Sequence, residues 1–170
     1  MPISQEELFA CLDRLGIAHR TTAHPPVFRY EDGGVVEKLV PGLHCKNLFL
    51  KDAKGKLWLV VMPAALRADL KFLHLAIGSA RLSFGKPELL DEVMGIAPGS
   101  VTPFALLNDS SRRISIVLDR RMMQAEIVNF HPLRNDQSTT ITPVDLQKFL
   151  SALGYVPLIA DCAAAPLPFP

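Results

Sequence analysis

Apolar and polar positions repeat along this chain with two periods, and each change of period marks an element. Ser4 followed by Glu7 is a capping-box pattern, after which Leu8, Leu12 and Leu15 recur at helical spacing until Gly16. That spacing predicts an amphipathic helix, with a short strand over 17–22. His24-Pro25-Pro26 ends the strand, because proline donates to no ladder and restricts the residue before it. Residues 31–39 are weakly helical. Strands over 44–50 and 57–62 flank a turn at 52–55, which reads as a hairpin. Leu66, Leu70 and Leu73 predict a helix over 63–75, and residues 81–84 read as a short strand. Pro87 opens a helix that Gly95 closes.

In the second half, the apolar run 104–107 reads as a strand and 108–111 as a turn. Ile114, Ile116 and Leu118 alternate, the mark of a half-buried strand. Further strands are expected over 126–130 and 139–141. Thr142-Pro143 starts a last helix, with Leu146, Phe149, Leu150 and Leu153 turned inward and Gly154 as its stop. A final strand is expected over 155–159. Helices and strands interleave irregularly around at least one hairpin. This predicts a mixed α/β domain: a mixed, mostly antiparallel curved sheet with helices packed around it. Residues 1–160 form the domain, and 161–170 are expected to be a loosely held tail rich in alanine and proline.

Composition narrows the function classes. The 170 residues are 49% hydrophobic, enough for a core, and the net charge of +1 gives no global field toward nucleic acid or membrane. Any RNA contact must come from a local patch; Lys51, Lys54, Lys56, Arg112, Arg113, Arg120 and Arg121 are the candidates for phosphate contact. Cys11, Cys45 and Cys162 have no regular spacing, which argues against a disulfide framework and a structural zinc site. The polar, acidic start does not fit a signal peptide, and no apolar run reaches spanning length, so a cytoplasmic protein without membrane contact is expected.

Candidate chemistry centres on Pro98-Gly99-Ser100-Val101-Thr102-Pro103-Phe104, with Lys46 and His131. A proline-bounded loop presents backbone N–H groups able to hold a carbonyl oxygen as it becomes negative. Ser100 and Thr102 lack a Gly-x-Ser-x-Gly elbow, so their hydroxyls read as orienting groups. No HExxH spacing occurs among the five histidines, and no metal or cofactor is expected. Alternation places Lys46 on the face of Leu48 and Leu50, with Cys45 and Asn47 opposite. Cys45 therefore reads as packing.

Four segments in order carry a resemblance: His24-Pro25-Pro26-Val27-Phe28, Lys46-Asn47-Leu48-Phe49-Leu50-Lys51-Asp52, Gly99-Ser100-Val101-Thr102-Pro103-Phe104 and Asn129-Phe130-His131-Pro132-Leu133. Together they resemble the freestanding editing domains related to the insertion domain of bacterial prolyl-tRNA synthetase, the YbaK- and ProX-type aminoacyl-tRNA deacylases. The branch acting on alanyl-tRNA(Pro) is the most similar. The resemblance implies metal-independent hydrolysis of the alanine ester from tRNA(Pro), with prolyl-tRNA synthetase or an elongation factor as transient partners. It implies catalytic roles for Lys46 at the terminal nucleotide, for Gly99, Ser100 and Thr102 in the carbonyl-positioning loop, and for His131 in shaping the aminoacyl pocket. Val27, Phe28, Asn47, Leu48, Val101, Pro103 and Phe104 are the expected substrate-binding residues. The rival readings are a deacylase for cysteinyl-tRNA(Pro) or a seryl or threonyl species, and a module that binds aminoacyl-tRNA without hydrolysis.

Overall fold

The computed structural model describes residues 1–26 and 34–164, with side chains from 36 onward in the second stretch. Helix α1 (Gln5–Arg14) begins where the capping box predicts: Ser4 Oγ accepts from Glu7 N–H, and the Glu7 carboxylate accepts from Ser4 N–H. Such a cap contributes about 1 kcal/mol. Leu8 and Leu12 bury completely. Ile17 N–H returns to the Leu12 carbonyl, so Ile17 closes the helix and the strand after it starts late, as β1 (Arg20–Ala23).

Helix α2 (Gly34–Leu39) leads into the hairpin of β2 (Leu43–Asp52) and β3 (Leu57–Pro63). The expected helix over 63–75 is shorter: α3 (Leu70–Ile77) starts only at Asp69, whose carboxylate accepts from Lys71 N–H. Next come β4 (Leu82–Phe84) and α4 (Pro87–Met94), the latter with the predicted bounds. The apolar run expected as a strand over 104–107 is instead part of a 3-10 helix, Pro103–Asn108. Thr102 caps it and Pro103 fills its first position, which directs the chain into a tight turn. Strands β5 (Ile114–Asp119), β6 (Val128–Phe130) and β7 (Gln137–Ile141), helix α5 (Pro143–Ala152) and β8 (Leu158–Ala160) complete the described chain.

One sheet runs β1-β7-β6-β2-β3-β5-β8, with β4 also paired to β2. Among the described residues, four of its seven pairings are antiparallel and three parallel. The expected mixed α/β fold is the observed one. Strand β5 is not half-buried as its alternation predicts. It lies between β3 and β8 in parallel pairing, and both its faces are covered.

Among the described residues, two cores lie against the sheet. The larger contains Leu8, Leu12, Phe49, Val61, Phe104, Phe130, Phe149 and Leu150. The second contains Leu50, Val60, Met62, Leu73, Val117 and Cys162. The start of the expected tail is held, since Cys162 N–H and Arg121 N–H both donate to the buried Asp119 carboxylate and Arg121 Nη2 donates to the Ala163 carbonyl. Residues 165–170 lie outside the described residues.

Candidate active site

Strand β2 builds the site because its two edges are treated differently. One edge pairs with β3 from Cys45 to Lys51. The other meets β6 only at Leu43 and His44, and β4 only from Leu50 to Asp52. Among the described residues, 45–49 lie between these partners with no ladder on that edge. Side chains alternate across the strand: Cys45 and Phe49 pack on the larger core, Leu48 and Leu50 on the second. Lys46 thus leaves the face of Leu48, and Asn47 the face of Cys45, as the sequence predicts. Partial burial lowers the Lys46 ammonium below the usual lysine range. Burial also pushes the Cys45 thiol far above its ordinary value, which suits packing and not an activated thiolate.

The register with β6 places His131 on the face of Lys46. His44 lies opposite Asn129 in a parallel pair. Lys46 and His131 each follow two residues later, so both leave the same face at the same end of the pair. Three histidines gather here. The His24 and His131 rings are 6.2 Å apart, and both His24 and His44 act on the His131 charge. Each ring is oriented by a backbone carbonyl. His131 Nδ1 donates to Gln137 O at 2.9 Å, His24 Nδ1 to Pro25 O at 2.8 Å and His44 Nε2 to Val40 O at 2.9 Å. Because a carbonyl only accepts, neutral His131 carries its proton on Nδ1 and keeps the Nε2 lone pair available. Burial lowers the His131 pKa below 6.5; the Gln137 carbonyl opposes that shift, and the neighbouring histidines reinforce it. Gln5 of α1 supports the assembly, donating to both Pro132 O and Gln137 Oε1.

The proline-bounded loop is stapled at its two ends by Asn108. Its Nδ2 donates to Met94 O at 2.8 Å, and its Oδ1 accepts from Ile3 N–H. Gly95 and Gly99 take φ of 64° and 91°, values that glycine adopts without strain. Ser100 N–H donates to Ala97 O, whereas Gly99, Val101 and Thr102 give their N–H groups to no backbone acceptor among the described residues. Thr102 is fully buried, and its hydroxyl accepts from Phe104 N–H. It holds the loop and is not open to substrate. Pro103 is buried too. Phe104, expected to bind substrate, is a core residue wedged edge-on against Phe130 and Phe149. Val101 packs on the larger core, the side of β2 opposite Lys46. No hydrogen bond among the described residues joins the loop to Lys46 or His131. Val27 and Phe28 lie outside the described residues.

Of the candidate phosphate contacts, three arginines pair with acids: Arg113 with Glu92, Arg120 with Asp161, and Arg121 with Asp119. Lys51 lines a cleft of about 580 Å³ with Arg81, Lys86, Phe84 and Glu88. Lys56 lies over the Trp58 ring at 4.4 Å. Among the described residues no group of three His, Cys, Asp or Glu side chains is placed to hold a metal ion, and no helix is long and apolar enough to cross a membrane. The grouping of His24 and His44 around His131 is the feature that sequence reasoning misses. Its signal is the period of two that puts His44 on the face of Lys46.

Residues 24–149 match the model of the aminoacyl-tRNA editing domain. The chain belongs to this family. Lys46, the loop and His131 all fall inside the match. Within the family, the chain is 33% identical over 152 residues to the prolyl-tRNA editing protein ProX of Acetoanaerobium sticklandii, covering 89% of this chain and 93% of that one. It is 35% identical over 160 residues to the prolyl-tRNA synthetase associated domain-containing protein 1 of Xenopus laevis, covering 91% and 95%. A solved structure described as a candidate trans-editing enzyme for prolyl tRNA synthetase shares the fold. Its TM-score is 0.69 at 19% identity, over 95% of this chain and 98% of that one.

Proposed function

We propose that this editing domain acts in trans as a deacylase of alanyl-tRNA(Pro), releasing alanine and free tRNA. The observation that carries the reading is the family match over 24–149, which encloses Lys46, His131 and the loop. The two similar chains named above bear prolyl-tRNA in their names, which supports tRNA(Pro) as the nucleic-acid partner.

The chemistry follows from what each group can do. An aminoacyl ester is already activated, so a modest catalyst suffices. The ester lies at the edge of β2 that the described residues leave without a ladder, between the face of Lys46 and the loop. Lys46 holds the terminal nucleotide through its charge. Loop N–H groups receive the oxyanion as water attacks the carbonyl; losing one such donor costs about 10²–10³ in rate. The His131 Nε2 lone pair accepts a hydrogen bond from the attacking water or from the neighbouring ribose hydroxyl. Proton and alkoxide then recombine on the ribose, giving free alanine and the tRNA 3′ end.

Alanine is smaller than proline, so the pocket rejects proline by size and acts as a second sieve. Val101 and Leu48 are partly buried and remain candidates for its walls. The test is a panel of aminoacyl-tRNAs with purified protein, in the presence and absence of EDTA. Alanyl-tRNA(Pro) is expected to lose its ester fastest, with or without chelator. Preferred loss of a cysteinyl, seryl or threonyl ester overturns the alanine assignment. Tight binding with the ester intact overturns the enzyme, and chelator inhibition reversed by added metal overturns the metal-independent route.

A further inference from the structure

The turn that carries the chain from His131 at the end of β6 into β7 is held from outside. Leu133 takes φ of 71°, a left-handed conformation that leucine keeps only where its surroundings impose it. Pro132 before it is buried, and Leu133 packs on the larger core. Two segments from the start of the chain grip the turn. Just after β1, His24 N–H donates to Asp136 O, and Ser138 Oγ donates to His24 Nε2. From the first turn of α1, the Gln5 amide donates to Pro132 O at 3.1 Å and to Gln137 Oε1. Gln137 is also the residue whose backbone carbonyl takes the His131 Nδ1 proton. Gln5 thus ties together both ends of the turn: the residue that follows the ring and the residue that orients it.

Pro132 O only accepts, so its partner must be a donor. The α1 cap is made by Ser4 and Glu7, which leaves the Gln5 side chain free for this task. Gln5 stands before the stretch that the family model matches. The hydrogen bond at one imidazole nitrogen decides which nitrogen carries the proton, so a displaced Gln137 carbonyl releases the tautomer. We propose that Gln5 is a positioning residue for deacylation: its amide fixes the turn, the turn fixes the Gln137 carbonyl, and the His131 Nε2 lone pair is held ready for the ester. This inference rests on the deacylase reading and adds a residue that touches neither ester nor nucleotide. The titratable groups acting on the ring are His24, His44 and Asp136, none of them on α1.

The test is nitrogen-15 NMR of the histidine rings at about pH 8, where the rings are neutral, beside steady-state deacylation of alanyl-tRNA(Pro). Gln5→Ala removes the donor. Gln5→Glu removes it at nearly unchanged size, and an acidic residue in the first turn favours the helix, so the fold is kept. The wild type is expected to show His131 with its proton on Nδ1 alone. Both variants should add the Nε2–H form, with kcat lowered about 10- to 100-fold at unchanged KM. A single Nδ1–H form in folded Gln5→Glu overturns the inference. So does a raised KM with kcat unchanged, which marks a substrate contact. A fall in kcat without the second tautomer, or the second tautomer with undiminished kcat, overturns it too. A wild type that leaves alanyl-tRNA(Pro) intact rejects the deacylase reading, while the ring spectra still decide whether Gln5 fixes His131.

Discussion

His131 shows how backbone carbonyls set the state of a side chain. Its Nδ1 proton is committed to Gln137 O, so useful chemistry is confined to Nε2 and to the neutral ring. Burial lowers its folded pKa below the ordinary 6.5. The native state therefore binds fewer protons than the unfolded chain as pH falls below 6.5, and its contribution to stability is lost as pH falls through the lowered folded value. Activity follows the same sign. The acid limb of kcat/KM is expected below pH 6.5, and His131→Gln should flatten it; a pH–rate profile of both proteins checks this. Asp119 is the structural counterpart. Its buried carboxylate accepts from Arg121, Met122 and Cys162 N–H groups and from the Arg121 guanidinium. Asp119→Ala leaves those donors unmet and should cost about 3 kcal/mol, read from the urea midpoint.

At the level of elements, legibility follows local physics. Helices α1 and α4 are readable because their stops and starts are covalent facts: a capping box, a proline at the first turn, a glycine at the end. The run 104–107 is misread because four apolar residues fit a strand and a buried helical turn equally well. The deciding signal is Thr102-Pro103, a cap followed by a residue that fits only the first turn. Asp69 carries a similar cap signal that the leucine spacing over 63–75 overrides. The loop itself depends on Asn108, 14 residues from its partner Met94, a contact that no local pattern announces. Asn108→Ala should cost about 1–3 kcal/mol, because the Ile3 N–H and the Met94 carbonyl lose their partner. Thermal unfolding measures that loss, and deacylation measured below the midpoint should fall with it.

Across the whole molecule, the sequence places candidates on strands but not strands beside one another. Lys46 and His131 are 85 positions apart, and the parallel pairing of β2 with β6 puts them on one face of the sheet. Alternation gives the face of each side chain correctly, while the register that aligns His44 with Asn129 is a product of tertiary packing. Among the described residues, the same topology leaves the edge of β2 between β6 and β4 without a ladder, with Lys46 on one face of the strand. The most direct measurement follows ester loss from alanyl-tRNA(Pro) with the wild type and with Lys46→Ala, each checked for native circular dichroism. Turnover by the wild type and its disappearance in the folded variant is the predicted result. An intact ester with the wild type, or undiminished turnover by the variant, would contradict it.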